Sequence, residues 1–256
     1  MQQTSMEQGA TNDRVEVLAH LLSKDEKQSR DEPLIAANIG EQLSHMGLDG
    51  WSISVIRRVR DAIGRIQPAR LLEVGASIGH RSAWFYDAAE RFETPMTAYT
   101  LVEPGNKFAV ILHRLRTRYG AESWSSIVVG DPLQLASEHR AWTLAAATGL
   151  EIAETPFEAA YEAIVVDGPQ QHRASTVRQY LPFLTSGGVL LTTEPTHPTG
   201  EVDEEDADAM KVVHGFNDWI ELVKETQATH HLAFMPVFGG TVVAWMPQLT
   251  SGPTAQ

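Results

Sequence analysis

The chain has 256 residues, of which 43% are hydrophobic, enough for one domain of ordinary size with a substantial core. Its formal net charge of −13 argues against a nucleic-acid backbone or an anionic membrane as a partner. There is no cysteine, so disulfides, thiolate metal sites and cysteine nucleophiles are excluded.

The first residues lack the basic-then-apolar plan of a secretory signal. No apolar run reaches the roughly 18 residues of a membrane span. The chain therefore reads as soluble and cytoplasmic. Residues 1–32 read as a flexible or helical N-terminal extension, and Pro33 marks a restart. Helical spacing predicts helices over 34–46 and 51–66, the second carried by Ile53, Ile56, Val59 and Ile63. Gly47 and Gly50 separate the two as hinges. The pattern then alternates. Strands are predicted at 70–75, 97–103, 125–129, 161–167, 188–193, 231–236 and 240–246. Helices are predicted between the first six, at 80–91, 106–118, 132–147, 172–184 and 203–226.

Strands separated by helices imply parallel pairing with right-handed crossovers. Only Phe238-Gly239-Gly240 separates the last two strands, too short for a crossover, so they are predicted to form an antiparallel hairpin. The fold class is α/β: a doubly wound, seven-stranded, mostly parallel, Rossmann-like sheet with N-terminal helices and a C-terminal hairpin. One domain spans 33–247, and 248–256 form a disordered tail.

The most informative stretch is Leu71-Leu72-Glu73-Val74-Gly75-Ala76-Ser77-Ile78-Gly79-His80. A short apolar run ends in a carboxylate and a G-x-x-x-G turn, and a helix follows. Strand, glycine turn and helix form the cofactor-binding opening of an open α/β sheet, whose ligands sit beyond the strand C-termini. Glycine suits that turn because a Cβ would hold the backbone away from the ligand. The second strand ends in Leu101-Val102-Glu103-Pro104, with a carboxylate suited to two ribose hydroxyls. The third ends in Val129-Gly130-Asp131-Pro132 and the fourth in Val165-Val166-Asp167-Gly168.

These strand ends, in this order, resemble the class I S-adenosylmethionine-dependent methyltransferases. The stretch 72–80 is closest to the catechol and caffeoyl-CoA type of small-molecule O-methyltransferase. The stretch from Tyr161 to Leu191 is similar to that family's fourth and fifth strands and the helix joining them. The resemblance covers about residues 35–247 and implies methyl transfer from S-adenosylmethionine to a hydroxyl of a small-molecule acceptor. It assigns Gly75 and Gly79, with Ala76, to backbone approach to the cofactor's amino-acid part, and sets Glu73 and Ser77 beside that group. Glu103 and Pro104 match the ribose site, Asp131 and Pro132 the adenine site, and Asp167-Gly168 the border between sulfonium and acceptor.

The chain also departs from that family. Metal-dependent members hold magnesium with a carboxylate ending the fourth strand and an Asp-Asn pair ending the fifth. Asp167 supplies the first, but Thr193 and Glu194 stand at the pair. Asp167 and Glu194 remain the candidate ligands for a divalent metal. The family's catalytic lysine position holds Gln170, which cannot act as a base, so His172 becomes the nearest titratable substitute beside Asp167. Arg81 stands where a small hydroxyl residue is usual, which argues against direct cofactor contact there.

His45, Met46 and Trp51 are candidate walls for the acceptor pocket. The acidic run Asp203, Glu204, Glu205, Asp206 and Asp208 reads as the solvated opening of a helix. A nicotinamide oxidoreductase is disfavoured, because no tyrosine is followed by a lysine four residues on. A cofactor-binding module without catalysis, or aminopropyl transfer on the same sheet, stays open as an alternative, as does homodimerisation.

Overall fold

The computed structural model describes residues 16–149, 155–200, 202 and 205–248. Residues 249–256 of the predicted tail, and Asp203 and Glu204 of the acidic run, lie outside the described residues. In chain order the elements are α1 (Leu34–His45), α2 (Ile53–Ile66), β1 (Arg70–Val74), α3 (His80–Ala89), β2 (Ala98–Glu103) and α4 (Asn106–Arg118). Then come β3 (Ser125–Val129), α5 (Pro132–Ala147), β4 (Tyr161–Val166), α6 (Gln170–Tyr180), β5 (Leu184–Thr193), α7 (Ala207–Thr226), β6 (His230–Val237) and β7 (Gly240–Pro247).

The seven strands form one sheet in the order β3-β2-β1-β4-β5-β7-β6. β1 to β5 pair in parallel, and β7 runs antiparallel to both β5 and β6, as the two-residue turn of the hairpin requires. Successive strand residues face opposite cores. Leu71, Tyr99, Leu101, Ala163, Val165, Leu191, Val242 and Ala244 join α1 to α4 on one side. Leu72, Val74, Val102, Ile164, Val166, Leu190, Val243 and Trp245 join α5, α6 and α7 on the other. Two covered faces explain why the central strands read as near-continuous apolar runs.

Several predicted boundaries shift, two of them for a local reason. The helix predicted at 172–184 starts at Gln170 and ends at Tyr180, and a 3₁₀ turn over Leu181–Phe183 follows, with Pro182 lacking the amide a longer helix needs. The fifth strand starts at Leu184 instead of 188, because its register on β4 shifts between Tyr161 and Ala163.

Residues 16–32 pack onto the domain. Residues 16–21 are helical, and Leu18 and Leu22 are fully buried in the core that α2 faces. Arg58 donates to the Leu22 carbonyl at 2.6 Å, and Arg65 to those of Leu21 and Ser23 at 2.9 and 2.8 Å.

Candidate functional site

The strand order reverses between β1 and β4, and there the sheet leaves a crevice beyond its C-terminal edge. A cavity of about 660 Å³ occupies it. Gly75 and Ser77 after β1, Glu103 and Pro104 at the end of β2, Asp167 and Gly168 after β4, and Thr193 and Glu194 at the end of β5 all line it. The opposite wall is Asp49 to Ser52, between α1 and α2, together with the hairpin turn at Gly239 and Gly240. Ser52 ties these walls together: its Oγ accepts from the Val55 amide, starting α2, and donates to the Phe238 carbonyl at 2.8 Å.

The turn after β1 has the geometry its glycine suggested. Gly75 has φ +79°, and a Cβ there would lie 2.6 Å from the Asp167 carbonyl oxygen. Ser77, at φ +55°, follows in the same left-handed region, and its amide donates to Glu103 Oε2 at 2.7 Å. The Gly105 amide donates to Oε1 at 2.9 Å. Glu103 is thus held by one backbone donor per oxygen, and each oxygen keeps a lone pair for a further donor. Burial pushes its carboxyl above the ordinary glutamate range, against the pull of the Gly105 and Ser77 amides.

A charge network runs from the cavity wall into the core beneath it. Asp167 is bound on both oxygens by arginines: Arg81 Nη1 donates to Oδ2, and Arg173 Nη2 to Oδ1 at 2.8 Å. Arg173 Nη2 also donates to the Gly168 carbonyl at 2.8 Å, and its Nη1 to Thr193 Oγ1 and O at 2.6 and 3.2 Å. Arg81 reaches the Gly75 carbonyl and stands 3.3 Å from Glu73 Oε1, with Trp51 stacked 4.5 Å from its guanidinium carbon. Glu73 is fully buried and accepts from Ser82 at 2.7 Å and from Tyr99. Burial pushes the Glu73 carboxyl upward, and Arg81, Tyr99 and Ser82 pull it back. Burial works against the Arg81 charge, but Asp167 and Glu73 together hold its pKa above the ordinary arginine value.

The structure therefore divides the sequence-predicted site residues. Gly75, Ser77, Glu103, Pro104, Asp167, Gly168 and Glu194 share the cavity, and Ala76 lines a small recess beside it with Asp49, His80 and Arg81. Glu73 lies under the floor and braces Arg81, so it does not stand beside the cofactor space. Gly79 packs instead of lining: a Cβ there would meet Leu115 at 2.5 Å. Asp131 caps α5, accepting from the Gln134 amide at 2.9 Å, while Pro132 opens that helix; neither borders the cavity. His172 lines a separate groove with Lys211, His214 and Asp218, so the predicted substitute base does not line the cavity. Trp51 lines the cavity, and His45 and Met46 do not.

Sequence reasoning missed Asp49, Gln171 and Arg173. Arg173 had a signal: a cation in the first turn of a helix opposes the helix dipole and calls for a partner.

A divalent cation does not fit between the ends of β4 and β5. Asp167 is bound by guanidinium groups on both oxygens, Thr193 replaces a carboxylate, and the Arg173 guanidinium lies among the oxygens that would converge on the ion. Among the described residues no group of three or more His, Asp or Glu is placed to hold a metal. S-adenosylmethionine does fit the residues present, because Glu103 is pre-oriented beside the open Gly75–Ser77 turn.

No protein-family profile and no curated protein matches the sequence. Solved structures do resemble this one. The O-methyltransferase TomG of Streptomyces achromogenes, involved in tomaymycin synthesis and solved with SAM, is 15% identical, with a TM-score of 0.64 over 85% of this chain and 92% of that one. An O-methyltransferase from Bacillus cereus in complex with SAH is 14% identical, with a TM-score of 0.62 over 84% and 92% of the two chains. The SAH-bound methyltransferase PaMTH1 of Podospora anserina is 16% identical, with a TM-score of 0.61 over 93% and 96%. At these identities the likeness is one of architecture, and the architecture is the Rossmann-like methyltransferase fold.

Proposed function

We propose that the protein transfers a methyl group from S-adenosylmethionine to a hydroxyl of a small-molecule acceptor. One observation carries the reading: a single cavity joins Glu103, held by two backbone amides, to Glu194, with Asp167-Gly168 between them. The two carboxylates end strands three positions apart in the sheet, about 14 Å at the usual spacing, a span that takes a nucleoside beside a small acceptor. The folds solved with SAM or SAH support the same reading.

When bound, the cofactor supplies an electrophilic methyl on a sulfonium, for in-line transfer to an oxygen. Glu103 accepts the ribose hydroxyls as a charge-assisted pair. The positive-φ turn at Gly75 and Ser77 lets the amino-acid part approach the backbone, and Asp49, which borders both the cavity and its recess, is suited to the ammonium there. Trp51 and the hairpin turn form the wall that limits water and aligns the acceptor. Glu194 replaces His172 as the proposed base. It lines the acceptor end with Gln170, Gln171 and Thr196. It takes the hydroxyl proton as the oxygen attacks.

Calorimetric titration with S-adenosylhomocysteine, with a nicotinamide dinucleotide as control, tests the cofactor assignment. Mass spectrometry of a panel of small phenols and alcohols incubated with S-adenosylmethionine tests the transfer. Binding of S-adenosylhomocysteine and release of a methylated product are expected. Preference for the dinucleotide, or no binding of either, refutes the reading.

A further inference from the structure

Four oxygens converge on one side chain between the ends of β4 and β5. Asp167 Oδ1, the Gly168 carbonyl, and the Thr193 carbonyl and hydroxyl all lie within 3.2 Å of the two terminal nitrogens of Arg173. A carboxylate, two carbonyls and a hydroxyl are the donor types that hard divalent cations take. Here the cation is covalently part of the chain. Arg173 is 7% exposed, and its four terminal N–H bonds match the four acceptors one to one. A planar, permanently charged fork suits such a set better than an ammonium point charge.

A second guanidinium supports the first. Arg81 holds the other Asp167 oxygen and the Gly75 carbonyl, so the two arginines together join the ends of β1, β4 and β5 through one carboxylate. The chain segments joined are the ones that line the cavity at its centre. Without these cations Asp167 would be a largely buried, unpaired charge at the junction of three strands, a costly arrangement.

We infer that Arg173 is a built-in cation that occupies the place of a bound divalent metal, and that it acts as a positioning residue which completes the site without one. Its guanidinium keeps Asp167, Gly168 and Thr193 in fixed relation, and no N–H of its terminal nitrogens remains for the acceptor. The inference rests on the methyltransferase reading only for the identity of the ligands, since the oxygen cage and its occupant are properties of the chain itself.

The test is electron paramagnetic resonance of Mn²⁺ mixed with the full chain, paired with thermal melting and S-adenosylhomocysteine calorimetry on the same samples. The unaltered protein is expected to leave the spectrum of free Mn²⁺ unchanged, and a chelator to leave its S-adenosylhomocysteine affinity unchanged. Arg173→Ala combined with Thr193→Asp empties the cage and adds a carboxylate. That variant is expected to bind Mn²⁺ at least about tenfold more tightly than the unaltered protein, the scale on which partners of metal ligands act, and to melt higher when Mn²⁺ is present. Thr193→Asp alone keeps the guanidinium in place and is expected to gain no Mn²⁺ binding. It decides the matter if the double variant does not fold. The inference is overturned if the unaltered protein binds Mn²⁺ in a way that Glu194→Gln abolishes, if the folded double variant gains nothing, or if Thr193→Asp alone binds the ion. Failure of the unaltered protein to bind S-adenosylhomocysteine counts against the proposed function and leaves the Mn²⁺ results to judge the cage.

Discussion

Replacing Arg81 with Met measures how much the buried charge network stabilises the fold. The side chain is 5% exposed, and the Glu73 side chain it faces is 0% exposed. Removing one partner of a buried pair leaves the other charge without compensation and costs about 3–5 kcal/mol. Two features of the structure shape that figure. Asp167 keeps Arg173 and loses only one of its two cations. Glu73 loses its only ion partner among the described residues but keeps the Tyr99 and Ser82 hydroxyls. Burial already raises its pKa, and without Arg81 to counter it the rise is larger. A carboxyl with a raised folded-state pKa contributes most below its unfolded value, and that contribution is lost as pH rises through the folded value. The cost of Arg81→Met should therefore grow as pH is raised from the ordinary glutamate range towards neutrality. Urea unfolding followed by tryptophan fluorescence reads it directly. With m of about 2.5 kcal/mol/M, the midpoint should fall by about 1–2 M at the upper pH. Adding Glu73→Gln removes the stranded charge and should recover about 2 kcal/mol, within the coupling range of contacting residues. A loss below about 1 kcal/mol at every pH, or a double variant whose loss is the sum of the two single ones, would refute the network as described.

Other outcomes follow from the same geometry. Glu103→Gln should weaken S-adenosylhomocysteine binding by about 1.5–3 kcal/mol; in the unaltered protein affinity should drop as acid protonates Glu103, starting above the ordinary glutamate range, whereas the variant should lack that step in calorimetry. Glu194→Gln should lower kcat by about 10²–10⁴-fold with cofactor affinity intact, the scale of a lost general base, and His172→Ala should leave turnover unchanged because that ring lies in another groove. Leu22→Ala, at a fully buried position, should cost about 2–5 kcal/mol in urea unfolding, whereas Val17→Ala, half exposed, should stay within about 0.5 kcal/mol.

The local patterns of the chain sufficed for the layer order, and the reason is physical. Strands covered on both faces need apolar runs, a crossover needs a helix of length, and a two-residue turn permits only antiparallel return, so all seven strands and the hairpin were legible from residues near one another in sequence. The Gly75 turn was legible too, since a left-handed backbone against Asp167 admits little else. The position of Glu103 at the cavity followed because it depends only on ending the strand beside that turn. What a strand-terminal carboxylate does, however, depends on what faces it across the fold. Asp131 meets its own helix amide and caps α5, whereas Asp167, six residues before Arg173, meets two guanidinium groups. His172 and Arg173 are neighbours in sequence, yet the turn of α6 sends one into an outer groove and the other to the wall of the cavity, against Asp167. Likewise, Leu18 and Leu22 sit in a polar stretch whose burial requires the surface of α2. Sequence by itself determined the sheet, its glycine turn and the place of Glu103 beside it. Tertiary structure alone decided which charges pair, because pairing in a buried site is set by distances between segments far apart in the chain, on which local periodicity carries no information.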